Sequence, residues 1–166
     1  YNSYSAETVK VFREAGALVG VNHLEDKRNS LSALEEIKPD FVELYNTHAN
    51  IEYVYGDRNP FKILRHLGGI LELILNPANE SDLFYLDFLR LNDVTLDRWA
   101  WLAQRRRVTG VGGSDVHQNA IPIKIRGDRP DSYRRTLRWM SNYIQVRGKL
   151  TRKRVLHAIR AGRVYA

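Results

Sequence analysis

The chain has 166 residues, with 26 Lys+Arg against 19 Asp+Glu, no cysteine and 43% hydrophobic residues, the size and make-up of one globular domain or part of one. Without cysteine there is no disulfide, thiolate metal site or thiol nucleophile, so any metal must be held by His, Asp and Glu. The longest apolar stretches, such as 70–75 with Glu72 inside it, fall far short of the roughly 20 residues that span a membrane, and a first residue of Tyr1 rather than Met leaves any signal peptide out of view.

From Ser5 the spacing of Val9, Phe12 and Ala15 predicts a helix that Gly16 stops. Residues 17–21 form an apolar run with no polar alternation, as expected of a parallel strand buried on both faces, and deliver Asn22 and His23 at its end. Leu31, Leu34 and Ile37 recur at helical spacing behind Ser30, and Pro39-Asp40 separates them from a second strand at 41–45. Residues 46–59 are polar and turn-rich. Pro60 suits the first turn of a helix to Leu67, which Gly68-Gly69 interrupts, and 70–75 fits strand or helix. Helices are expected over 83–91 and 96–106 with Asp82 and Thr95 as caps, then a buried strand at 108–111. Residues 118–133 have loop composition. A helix at 132–143, another capped by Thr151 and ended by Gly162, and a short strand at 163–165 complete the chain. This alternation predicts an α/β fold with a parallel sheet or barrel, whose chemistry collects at the carboxyl edge of the strands.

The sharpest motif is Gly112-Gly113-Ser114-Asp115-Val116-His117. Residues two apart on an extended segment point to the same side, so Asp115 and His117 can grip one ion while Val116 faces the core. A carboxylate with an imidazole suits Zn, Mn or Fe better than Ca or Mg. The competing reading is a helix-capping Asp with a surface His. His23 occupies the matching place after an earlier strand and is the expected third ligand. Glu43, inside the apolar strand, must be paired or coordinated, as an inward-pointing polar anchor, a second-shell partner of the metal or a ligand itself. Asn46 and His48 follow that strand where a substrate could be contacted. His66 and His157 fall in helical patterns with structural or exposed roles.

The net charge of +7 is unevenly placed: residues 1–100 carry 10 Lys+Arg and 16 Asp+Glu, residues 101–166 carry 16 and 3. A basic third of this kind welcomes an anion, either a small phosphorylated substrate or nucleic acid, though a solvated Arg-rich face accounts for it equally. Arg126 and Arg129, in the loop after the metal motif, are the expected phosphate contacts, alongside Lys124 and the helical Arg134, Arg135 and Arg138. No P-loop, Gly-x-Ser-x-Gly elbow or His-Glu-x-x-His motif occurs.

Taken together, residues 15–23, the strand 41–46, the Gly-Gly-Ser-Asp-x-His motif and the closing Val155-Leu156-His157-Ala158-Ile159-Arg160-Ala161-Gly162-Arg163-Val164-Tyr165 resemble the polymerase and histidinol phosphatase (PHP) superfamily, in its carbaryl-hydrolase-like branch. The resemblance implies a single PHP-like domain folded as a distorted β/α barrel. It further implies divalent transition metals (Zn, Mn or Fe) at the strand ends, ligated through His23, Asp115 and His117, and hydrolysis of phosphoesters by a metal-activated water. The superfamily's opening His-x-His motif and the His and Glu ligands after it have no counterpart, so the expectation is the C-terminal part of a longer domain, inactive by itself if its metal site is incomplete. Two other readings stand beside it: a non-catalytic module binding nucleic acid or protein through residues 124–163, and a hydrolase of carboxylic or carbamate esters. A cytoplasmic location is the default expectation.

Overall fold

The computed structural model describes residues 6–55, 60–75, 82–86, 88–117, 124, 127–129 and 132–166. In chain order the elements are α1 (Ala6–Glu14), β1 (Gly20–Val21), α2 (Leu31–Ile37), β2 (Phe41–Asn46), α3 (Thr47–Tyr55), α4 (Pro60–Arg65), α5 (Leu67–Leu75), α6 (Asp82–Leu86), α7 (Asp93–Ala103), β3 (Thr109–Gly113), α8 (Tyr133–Trp139), β4 (Tyr143–Ile144), α9 (Arg152–Arg160) and β5 (Val164–Tyr165). They divide into two compact units, one formed by Tyr1–Leu44, Leu91–Gly112 and Asn142–Ala166, the other by Tyr45–Arg90 and Gly113–Ser141. The α/β class is as the sequence predicts, with a small parallel sheet in the order β1-β2-β3 and an antiparallel β4-β5 pair. Among the described residues these strands do not close into a barrel, and no helix is long and apolar enough to cross a membrane.

In the first unit the parallel register places Gly20 opposite Phe41 and Val21 opposite Val42. The core is Val21, Leu24, Leu34, Val42, Leu102 and Val108, with Trp99 and Trp101 packed against it. Asp40 gathers the start of the sheet: its carboxylate accepts from the Val19 N–H (2.9 Å) and from Arg160 Nε (3.2 Å), and its carbonyl accepts from the Thr109 N–H (3.1 Å). Ser30 caps α2 through the Ala33 N–H as its sequence position predicts, and the Arg13 guanidinium bonds the carbonyls of Ile37 and Lys38 at the other end, where the helix dipole favours a cation.

Several boundaries differ from expectation. The cap of α7 is Asn92, which accepts from the Val94 N–H, and Thr95 lies buried inside the helix. The helix expected over 132–143 stops at Trp139. Asn142 then takes the role of a strand neighbour, bonding both the N–H (2.9 Å) and the carbonyl (2.7 Å) of Gly112.

The second unit is built on Phe84, Tyr85 and Phe88, with Ile51 and Trp139 packed against them. Here the polar stretch after β2 is helical: Asn46 caps α3 by accepting the Ala49 N–H at 2.8 Å. Gly68 and Gly69 are the second and third residues of α5 rather than a break. Packing of α5 on α6 outweighs the penalty of about 1 kcal/mol that a glycine carries inside a helix.

Candidate metal centre

Three side chains of the second unit converge. His48 stands in the first turn of α3, and Asp115 and His117 follow the end of β3. The two carboxylate oxygens of Asp115 face different imidazoles: Oδ1 lies 3.0 Å from His117 Nε2 and Oδ2 lies 3.6 Å from His48 Nδ1. The rings meet edge to face with centroids 5.0 Å apart, and one ligand atom from each residue falls within 4.8 Å of the other two. Asp115 is the most covered of the three, its side chain 17% exposed against 24% for His48 and 45% for His117.

Local structure explains the placement. Cap formation by Asn46 starts α3 immediately after β2, so His48 is fixed two residues beyond the strand. Asp115 is also two residues beyond its strand and takes a left-handed backbone conformation, φ +47°, that turns the chain sharply and leaves room for His117 two positions later. These three residues could hold a metal ion.

The other expected site residues have the following places. His23 belongs to the first unit, two residues past β1 and, like Asp115, left-handed at φ +50°. Its backbone is held by Glu43 Oε2, which accepts its N–H (3.0 Å), and by the Asn29 amide and the Asp26 N–H, which donate to its carbonyl. Its Nδ1 lies 3.2 Å from Glu25 Oε1. Buried Glu43 therefore serves as an inward polar anchor for the His23 turn. Asn46 is buried and engaged as the α3 cap. The basic loop is only partly placed: Arg126 lies outside the described residues, and Lys124 is exposed.

Asp128 draws several donors of this segment together. Oδ1 accepts the Arg129 N–H, and Oδ2 bonds Arg134 (3.0 Å), Arg135 (3.2 Å) and the Ser132 hydroxyl (3.2 Å). Burial pushes the Asp128 carboxyl up, but these hydrogen bonds prevail and hold it below its ordinary value. Arg135 is itself buried, so it is tied to Asp128 rather than offered to a substrate. His66 is buried and stacks on Phe88, with centroids 5.5 Å apart, in the structural role expected of it, and His157 is exposed on α9.

The sequence assigns His48 to substrate contact, and the structure places it in the group that could hold a metal ion. A signal was present: His23, His48 and Asp115 each stand two residues past the end of a strand. No protein family, curated protein or solved structure matches the chain.

Proposed function

We propose that the chain carries the metal centre of a PHP-type metal-dependent hydrolase acting on a phosphoester, with His48, Asp115 and His117 as the metal-holding set. The observation behind this reading is the placement of two imidazoles against the two oxygens of one partly buried carboxylate. A bound transition ion would supply Lewis acidity and lower the pKa of a water toward neutrality. The protein's own part is positional. Asp115 orients both imidazoles, and three protein donors leave room for water and substrate. His117, nearly half exposed, places the site open to solvent on one side. The Gly-Gly-Ser-Asp-x-His motif supports the PHP assignment, and the basic loop after it supports an anionic substrate.

Plasma mass spectrometry on the purified chain, followed by a phosphoester substrate screen with added Zn or Mn, tests the reading. Near-stoichiometric metal is expected, lost in His48→Ala and His117→Ala and retained in His23→Ala. Metal absent from the wild-type chain after dialysis against Zn or Mn, or loss in His23→Ala with retention in His48→Ala, would overturn this ligand assignment.

A further inference from the structure

We propose that the β4-β5 ribbon and α9, within the first unit, form a binding surface for single-stranded nucleic acid. Residues 142–166 contain seven Lys+Arg and no Asp or Glu. Arg154 is held in place, donating from Nη1 to the Lys149 carbonyl at 3.0 Å, and Arg160 is engaged by Asp40. Arg147, Lys149, Arg152 and Lys153 remain exposed, on the loop before α9 and on its first turn. Four exposed cations on one short segment, with no carboxylate of that segment among them, repel one another unless a polyanion covers them.

The second observation is aromatic. Tyr143 and Tyr165 are partners across the ribbon, and their rings stack with centroids 5.4 Å apart and planes 10° from parallel. Yet they stay 61% and 65% exposed. Paired rings in a sheet usually add to a core; this pair faces water, and α9 packs on the same β4 strand that carries Tyr143. Stacked, exposed aromatic faces on a segment that also carries exposed cations are what unpaired bases and their phosphates require: bases extend the stack whatever their identity, and the cations track the backbone. A duplex hides its base faces and would use the charges alone, so the tyrosines favour a single strand. This surface is independent of the metal-centre reading and uses none of its residues.

Fluorescence anisotropy with labelled oligothymidylate and oligouridylate of about twelve nucleotides, on the whole chain, tests the proposal. The expected result is binding that weakens with added salt, the logarithm of affinity falling by about 0.7 per phosphate neutralised on a log-salt scale. Tyr143→Ala and Tyr165→Ala should each weaken it roughly tenfold, and Tyr143→Phe should retain it. Arg152→Ala with Lys153→Ala should flatten the salt dependence. Whichever oligomer binds tighter identifies the strand as DNA or RNA. Circular dichroism confirms that the exposed variants stay folded. Three results would overturn the proposal: tyrosine variants that bind as the wild type does, heparin binding that matches the oligonucleotides, or association with anionic vesicles in place of them.

Discussion

Two of the three non-glycine residues with positive φ among those described, His23 and Asp115, stand just past a strand end, and the third, Lys38, terminates a helix. The first two are candidate functional residues, and a left-handed non-glycine residue costs of order 1 kcal/mol or more, sustained only where the surroundings fix it. For His23 the fixing contacts are the Glu43 carboxylate on its N–H and the Asn29 amide on its carbonyl. Lys38 is different. Its backbone N–H closes the last turn of α2 on the Leu34 carbonyl, and its φ of 51° is the conformation for which glycine is favoured after a helix. Lys38→Gly should therefore stabilise the chain by roughly 0.5–1 kcal/mol, read as a higher urea midpoint at an unchanged m-value. A lower midpoint would mean that the lysine side chain supports α2 in a way its helix-ending geometry does not reveal.

At the scale of elements, β2 is the middle strand, and each neighbour meets it with a glycine where a larger side chain would collide. A Cβ at Gly20 would come within 2.1 Å of the Phe41 ring, and one at Gly110 within 2.1 Å of Leu44 Cδ1. Gly68, exposed in α5, has nothing within 4 Å of its would-be Cβ. The same substitution should thus act in opposite directions. Gly110→Ala is expected to destabilise by about 1–3 kcal/mol through overpacking, and Gly68→Ala to stabilise by about 0.5–1 kcal/mol through helix propensity. Chemical denaturation of both variants checks the sign, and matching signs would contradict the packing described. The glycines also show what the sequence could and could not disclose. Strand ends were legible because 17–21, 41–45 and 108–111 are apolar runs bounded by turn residues; Asp115 and His117 were legible as neighbours in one motif, but it is the left-handed turn at Asp115, not an extended period of two, that accompanies their pairing. The helix α3 was not, because Thr47, His48 and Asn50 are poor helix formers and its start depends on the Asn46 cap and on packing of Ile51 into the Phe84-Phe88 cluster. With α3 hidden, His48 read as a loop residue and its place beside Asp115 went unseen. Gly68-Gly69 misled in the same way, since local propensity for a break is outweighed by the packing of α5 on α6.

Across the whole molecule the basic residues outnumber the acidic by seven, and the C-terminal third holds only three acidic side chains. Asp128 is one of them. Its carboxylate bonds two arginines, a serine hydroxyl and a backbone N–H just ahead of α8, and one of those arginines, Arg135, is buried and depends on it. Burial raises the carboxyl's pKa, the hydrogen bonds together lower it by more, and the outcome is a folded-state value below the ordinary carboxylate value. A depressed folded pKa means that the unfolded chain takes up the proton first. The stabilisation is therefore fully present above the unfolded value, near pH 4, and is lost as the pH falls through the folded one. Protonation then leaves Arg134 and Arg135 without their shared anion in a chain already rich in positive charge, and self-repulsion adds to the loss. The expected behaviour is a wild-type advantage over Asp128→Asn, in urea midpoint, that stays level from about pH 7 to about pH 5 and shrinks below about pH 4. Added salt should reduce the Arg134 share, because that pair is the more exposed, and leave the Arg135 share largely intact. An advantage that persisted unchanged to about pH 3 would show that Asp128 holds the start of α8 by shape and neutral hydrogen bonding rather than by charge.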